Sequence, residues 1–215
     1  MKQYDVILFD LDGTLTDPEL GITSCVQYAL KHFGIEVEDR RSLRHFIGPP
    51  LLESFMKHYK MSKEQAEEAV EKYRERFSTV GLFENEIYPG IDSLLEKLKQ
   101  QGKVLATASS KPENFVLQIL EHFDLDGYFD EIAGAEMSVH GRNSKEEVLR
   151  YVLDRLGVED LSRAVLVGDT KFDLQGANAL GIDCIGVTYG FGTAAELKGC
   201  VAVANSVAEL EKILG

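Results

Sequence analysis

Val6-Ile7-Leu8-Phe9 is an unbroken apolar run that meets Asp10. A short run of this kind reads as a strand buried on both faces. The texture returns from Tyr88 onward, where strand-like runs alternate with helical periodicity. Residues 103–109 (KVLATAS) predict a strand, and 112–123 (PENFVLQILEHF) a helix with Pro112 in its first turn. Residues 130–136 (DEIAGAE) predict a weaker strand, followed by a helix over 144–157 that stops at Gly157. AVLVG (164–168) predicts a buried strand and 172–181 a helix closed by Gly181; 183–190 and 201–204 are strands, and 206–214 is a last helix. Alternation of this kind predicts the α/β class, a Rossmann-like parallel sheet covered by helices on both faces.

Residues 18–86 carry a different pattern. ELGITSCVQYALKHFG (19–34), LLESFMKHYK (51–60) and SKEQAEEAVEKYRERFSTVG (62–81) are amphipathic helical patterns, and no strand candidate lies among them. Ser62 with Gln65 three residues on forms a capping pair for the third. Gly48-Pro49-Pro50 is a rigid break between helices, and Tyr88-Pro89-Gly90 marks the return to the sheet. The expected organisation is a core of residues 1–17 and 87–215 with an all-helical insertion at 18–86.

Composition narrows the partners. Lys and Arg total 23 against 36 Asp and Glu, a formal net charge of -13. That sign argues against nucleic acid polymers and anionic membrane surfaces, which reward clustered positive charge. No apolar run is long enough to span a bilayer, and the one at the N-terminus is too short for a signal peptide. Cys25, Cys184 and Cys200 are far apart in sequence, with no metal-ligand spacing, which predicts reduced, mostly buried thiols and a cytoplasmic protein. His32, His58, His122 and His140 show no spacing that demands a metal.

The chemistry lies in two acidic clusters. In an extended segment, residues two apart share a face, so Asp10 and Asp12 can point to one spot while Gly13 turns the chain. A calcium loop does not fit: the glycine falls at the fourth position, and Gly21 stands where a bidentate Glu belongs. The second cluster, VGDTKFD, again ends a buried strand and presents Asp169 and Asp173, four apart; a helix starting there would put both on one face, or Asp169 would simply cap it. Parallel strands end on one edge of the sheet, so Asp10, Asp12, Asp169 and Asp173 converge there. Four carboxylates in one crevice call for a hard divalent cation, and Mg2+ suits few carboxylates with several waters.

These residues resemble the haloacid dehalogenase superfamily, specifically its phosphatases. FDLDGTLTD matches the family's D-x-D-G-T motif; Ser109 in LATASSKPE, Lys145 in GRNSKEEV and VGDTKFD match the three later motifs in the family's order. The helical insertion after the first motif is similar to the helical cap of the first subclass. The resemblance implies Asp10 as nucleophile, Asp12 as general acid and base, and Ser109 and Lys145 at the phosphoryl group. It implies Mg2+ at Asp10, Asp12, Asp169 and Asp173, with Asp12 contributing its backbone carbonyl. Thr14, Ser110, Lys111, Arg44 and Arg142 are the candidate substrate-binding residues, with His45 beside Arg44. FIGPPLLESF resembles the loop of the 5'-nucleotidase-like group near phosphoglycolate phosphatases, where Phe46, Ile47, Leu51 and Phe55 could line a pocket. The implied substrate is a small phosphomonoester, a 5'-nucleotide first and phosphoglycolate second, with a phosphosugar mutase as the alternative. The implied assembly is a monomer or homodimer.

Overall fold

Strand β1 (Val6–Phe9) lies inside a five-stranded sheet, as its unbroken apolar run requires. In this computed structural model, which describes residues 2–136 and 141–215, the sheet order is β4 (Val104–Thr107), β1, β5 (Ala164–Gly168), β6 (Asp183–Val187) and β7 (Ala202–Ala204). Every pair is parallel, with Phe9 beside Thr107 and Val167, and Gly168 beside Gly186. The carboxyl ends of β1, β4, β5 and β6 therefore share one edge. β2 (Thr16–Asp17) and β3 (Glu86–Ile87) form a separate two-stranded ribbon.

The chain divides into two compact units, residues 1–16 with 87–215, and residues 17–86. In the first, Val6 and Leu8 pack with Val148, Leu149, Val152 and Leu153 of α6 (Lys145–Arg155) and with Leu174 and Ala177 of α7 (Lys171–Leu180). Ile7 and Phe9 alternate to the opposite face and are equally buried. Three more helices complete this unit: α4 (Ile91–Gln100), α5 (Glu113–His122) and α8 (Val207–Leu214). Pro112 is the N-cap of α5 rather than part of its first turn.

The segment at 130–136 is not a strand. It makes only isolated bridges, Ala106 with Glu131 and Pro112 with Ala135. Backbone hydrogen bonds still join it to the sheet edge, from Asp130 N–H to Leu105 O, Thr107 N–H to Glu131 O and Ser109 N–H to Ala133 O, but the Ala133 N–H donates to the Thr107 hydroxyl, which also donates to Ala133 O. Cys184 and Cys200, distant in sequence, have sulfurs 3.7 Å apart. His140 lies outside the described residues.

The second unit packs α1 (Glu19–His32), α2 (Leu51–Tyr59) and α3 (Lys63–Arg76) with a 3-10 turn at Arg40–Phe46. Ser62 and Gln65 form the expected capping pair. α3 stops short of Gly81, giving way to a wide turn at Phe77–Gly81. There the backbone of Gly21 presses on Gly81, where a Cβ on Gly21 would sit 2.1 Å from the Gly81 carbonyl oxygen. Phe46, Ile47 and Phe55 are buried inside this unit, with the Phe46 and Phe55 rings 4.9 Å apart. Helix packing thus uses those side chains, while Leu51 is partly exposed.

Candidate active site

Asp10 leaves the sheet edge with its N–H still in the ladder, donating to Val167 O at 2.9 Å. Its Oδ1 accepts from Leu11 N–H at 2.8 Å. The chain then coils tightly, because Thr14, Leu15 and Thr16 N–H all donate to Leu11 O. Gly13 makes this possible. Its φ is +83°, and a Cβ there would lie 2.2 Å from Asp169 Oδ2. Asp12 Oδ2 is 2.8 Å from the buried Lys111 ammonium, while Asp12 Oδ1 is buried with no hydrogen-bond partner among the described residues. The Thr14 hydroxyl is buried and equally unsatisfied.

Asp169 follows β5 directly and is almost wholly buried. The helix begins only at Lys171, with Thr170 as N-cap, so Asp169 neither caps it nor shares a helical face with Asp173. Asp173 instead closes the first turn, with Oδ2 accepting from Thr170 N–H at 3.0 Å and Thr170 Oγ1 at 2.8 Å. Ligand oxygens of Asp10, Asp169 and Asp173 nevertheless lie within 4.8 Å of one another. Asp12 is outside this trio, its carboxylate turned to Lys111.

Lys145 supplies the central cation. It starts α6 behind a Ser144–Glu147 capping pair, and its stem crosses Gly176 of α7, where a Cβ would meet Lys145 Cγ at 2.6 Å. Its ammonium lies 2.9 Å from Asp10 Oδ1, 2.9 Å from Asp173 Oδ1 and 2.8 Å from Ala108 O. Burial alone would lower the Lys145 pKa, but the Asp10 and Asp173 charges outweigh it and hold the ammonium above the ordinary lysine range. Burial pushes Asp10 up to about 6 against the pull of Lys145, with Asp173 and Asp12 adding to the rise. Asp169 is pushed up to about 8, mainly by burial and then by Asp173 and Asp10, although two N–H groups oppose the rise.

The other predicted residues fall in several places. Ser109 is buried at the end of β4, its Oγ accepting from Lys111 N–H at 3.3 Å, and Ser110 is exposed. Arg142 is held by Glu113 at 2.5 Å and lies over the Tyr151 ring at 3.8 Å. Arg44 pairs with Glu19 inside the helical unit.

A component that sequence reading missed is the segment after β6. Phe191 N–H donates to Asp169 Oδ2 at 2.7 Å, and Gly192 N–H approaches the same oxygen at 3.4 Å. Asp169 Oδ1 is buried with no hydrogen-bond partner among the described residues. The Tyr189 hydroxyl donates to Thr14 O at 3.1 Å, and burial raises its pKa well above the ordinary tyrosine range. The available signal was Y-G-F-G directly after a strand that ends on the acidic edge.

Two buried acidic segments crossed by a buried lysine, on the carboxyl edge of a parallel sheet, define the class: an α/β protein with an acidic ligand crevice at its strand ends. The chain belongs to the haloacid dehalogenase-like hydrolase family, which it matches over residues 7–187. It is 48% identical over 91% of its length to a 5'-nucleotidase of Pseudomonas aeruginosa, covering 88% of that protein. It is 30% identical to phosphoglycolate phosphatase 1 of the same organism, over 86% of this chain and 70% of that one. It is also 40% identical over 88% of its length to the tyrosine-protein kinase PtkA of Mycobacterium tuberculosis, of which it spans 64%. Among solved structures, that of a predicted phosphatase from Clostridium acetobutylicum superposes with a TM-score of 0.91 at 47% identity, covering 99% of each chain. These similarities place the chain among the family's phosphatases.

Proposed function

We propose that the chain hydrolyses small phosphomonoesters through a phosphorylated Asp10, with Mg2+ held by Asp10, Asp169 and Asp173. One observation carries the reading. Three carboxylates converge while a single buried ammonium pairs with only two of them, Asp10 and Asp173, and one oxygen of Asp169 is buried without a donor. A carboxylate-only donor set with that charge suits a hard divalent cation. When bound, the cation would offset the repulsion between Asp10 and the phosphate and stabilise charge on the phosphoryl oxygens.

The chain's own residues account for the remaining steps. Lys145 and Leu11 N–H hold Asp10 Oδ1, so the other oxygen of Asp10 is the one aimed at phosphorus. As the Asp10–phosphorus bond forms, the bond to the leaving oxygen breaks. The electron pair goes to that oxygen, and Asp12 gives it a proton. Asp12 then takes a proton from water as the water attacks phosphorus; orthophosphate leaves and Asp10 is restored. The Lys111 ammonium keeps Asp12 oriented. Thr14, Ser109 and Ser110 are the proposed hydroxyl contacts to phosphoryl oxygens. The same proposal assigns residues 1–17 and 87–215 to the hydrolase core and 18–86 to a helical cap.

For the substrate, a 5'-nucleoside monophosphate ranks first, supported by the 48% identical 5'-nucleotidase. Phosphoglycolate ranks second, supported by the more distant phosphoglycolate phosphatase. The test is orthophosphate release from a panel of phosphorylated metabolites with Mg2+, for the parent and Asp10→Asn proteins. Release from 5'-nucleotides that Asp10→Asn abolishes supports the reading. Equal release by both proteins, or none from any monoester, overturns it.

A further inference from the structure

Asp169 uses its two oxygens differently, and the difference is set from outside its own strand. Oδ2 accepts from Phe191 N–H at 2.7 Å and from Gly192 N–H at 3.4 Å, whereas Oδ1 is buried with no hydrogen-bond donor among the described residues, in a carboxylate that clusters with those of Asp10 and Asp173. Backbone donors can aim at a carboxylate only if the segment carrying them is held still. Two features hold this one.

The first is the absence of side chains. A Cβ on Gly190 would lie 2.2 Å from Gly13 O and 2.4 Å from Asp169 Oδ2, and one on Gly192 would lie 1.8 Å from Asp169 O. The strap lies flat on Asp169 and on the Asp10–Gly13 turn because nothing projects between them. The second feature is Tyr189, whose hydroxyl donates to Thr14 O while its ring stands edge-on to Tyr88 with centroids 4.8 Å apart. The hydroxyl thereby ties the strap to the turn that carries Asp10 and Asp12.

We propose that Tyr189 is a positioning residue: its bond to Thr14 O holds the Tyr189–Gly192 strap so that backbone donors occupy Asp169 Oδ2 and leave Oδ1 for a divalent cation. This rests on the cation site proposed above. Groups that orient a metal ligand from behind contribute on the order of 10- to 100-fold in metal affinity. Tyr189 acts through two donors that it does not itself carry, so the lower end applies.

The test is equilibrium binding of Mn2+, read by the loss of its free paramagnetic resonance signal, to the parent, Tyr189→Phe, Gly192→Ala and Asp169→Asn proteins. Tyr189→Phe removes one oxygen and keeps the ring on Tyr88. It raises the Mn2+ Kd about tenfold, and the Mg2+ concentration for half-maximal turnover rises in proportion. Gly192→Ala forces the strap off Asp169 and raises the Kd further. A merely structural role would lower the melting temperature of the cation-free protein and leave the Kd unchanged, which overturns the proposal. If the parent binds Mn2+ and Asp169→Asn does not, a parent-like Kd in Tyr189→Phe refutes the strap alone. If the parent itself does not bind Mn2+, the cation site and the strap fall together.

Discussion

Replacing Asp169 by Asn should stabilise the cation-free protein. The ordinary carboxylate pKa of 3.8 is raised to about 8 in the fold, first by burial and then by Asp173 and Asp10. Between those values the folded chain keeps a proton that the unfolded chain has lost. Unfolding then releases a proton, and stability falls as pH rises across that window. At pH 7 the span is about three pH units, which at ~1.4 kcal/mol per unit is about 4 kcal/mol. Asn mimics the protonated acid and still accepts from Phe191 N–H, so the variant loses this penalty. It should gain about 4 kcal/mol at pH 7, or about 10 °C in melting temperature for a chain of this size. The assay is urea unfolding in chelator at pH 5, 7 and 9, repeated with Mg2+. The gap between the two proteins should widen from pH 5 to pH 9, and Mg2+ should stabilise the parent but not the variant. A variant no more stable than the parent at pH 9, or one still stabilised by Mg2+, would refute the reasoning.

Lys145→Met removes the ammonium between Asp10 and Asp173 and leaves buried carboxylates facing each other. It should cost about 3–5 kcal/mol in cation-free unfolding and remove phosphatase turnover, whereas parent-like stability would place the ion pairs outside the fold's energetics. Asp12→Asn should slow hydrolysis of alkyl phosphates by roughly 10²- to 10⁴-fold. Aryl phosphates, whose leaving groups need no proton, should be far less affected, and an equal loss on both would remove Asp12 from acid catalysis. Ca2+ should inhibit the Mg2+-activated reaction, because its looser, higher-coordinate shell invites bidentate carboxylate binding that ties up Asp10; activation by Ca2+ would contradict that.

The strands carrying the acidic residues were legible because parallel-sheet strands are buried on both faces, which leaves runs such as Val6–Phe9 and Ala164–Gly168 unbroken. Residues 130–136 misled for a related reason. Their apolar content reflects contact with the sheet edge, to which backbone hydrogen bonds join them at Asp130, Glu131 and Ala133, but the Ala133 N–H is taken by the Thr107 hydroxyl and no continuous strand forms. The pairing of Asp169 with Asp173 was anticipated from helical spacing and is instead achieved across a strand end and a first turn, since the helix starts at Lys171. The Tyr189–Gly192 strap escaped because its donors are backbone N–H groups, which every residue but proline carries. Only its glycines mark it, and their meaning depends on Asp169 lying against them. The reach of Lys145 is similarly hidden, since it requires Gly176 on another helix.

The central claim is that Asp10 carries the phosphoryl group. The most direct measurement is to quench the protein in acid during turnover of a phosphomonoester with Mg2+, reduce it with borohydride and map the peptides by mass spectrometry. Borohydride converts an acyl phosphate to an alcohol, so the account predicts homoserine at position 10 in the turning-over protein and none when substrate is omitted. Steady turnover with an unmodified Asp10, or reduction at another carboxylate, would contradict it.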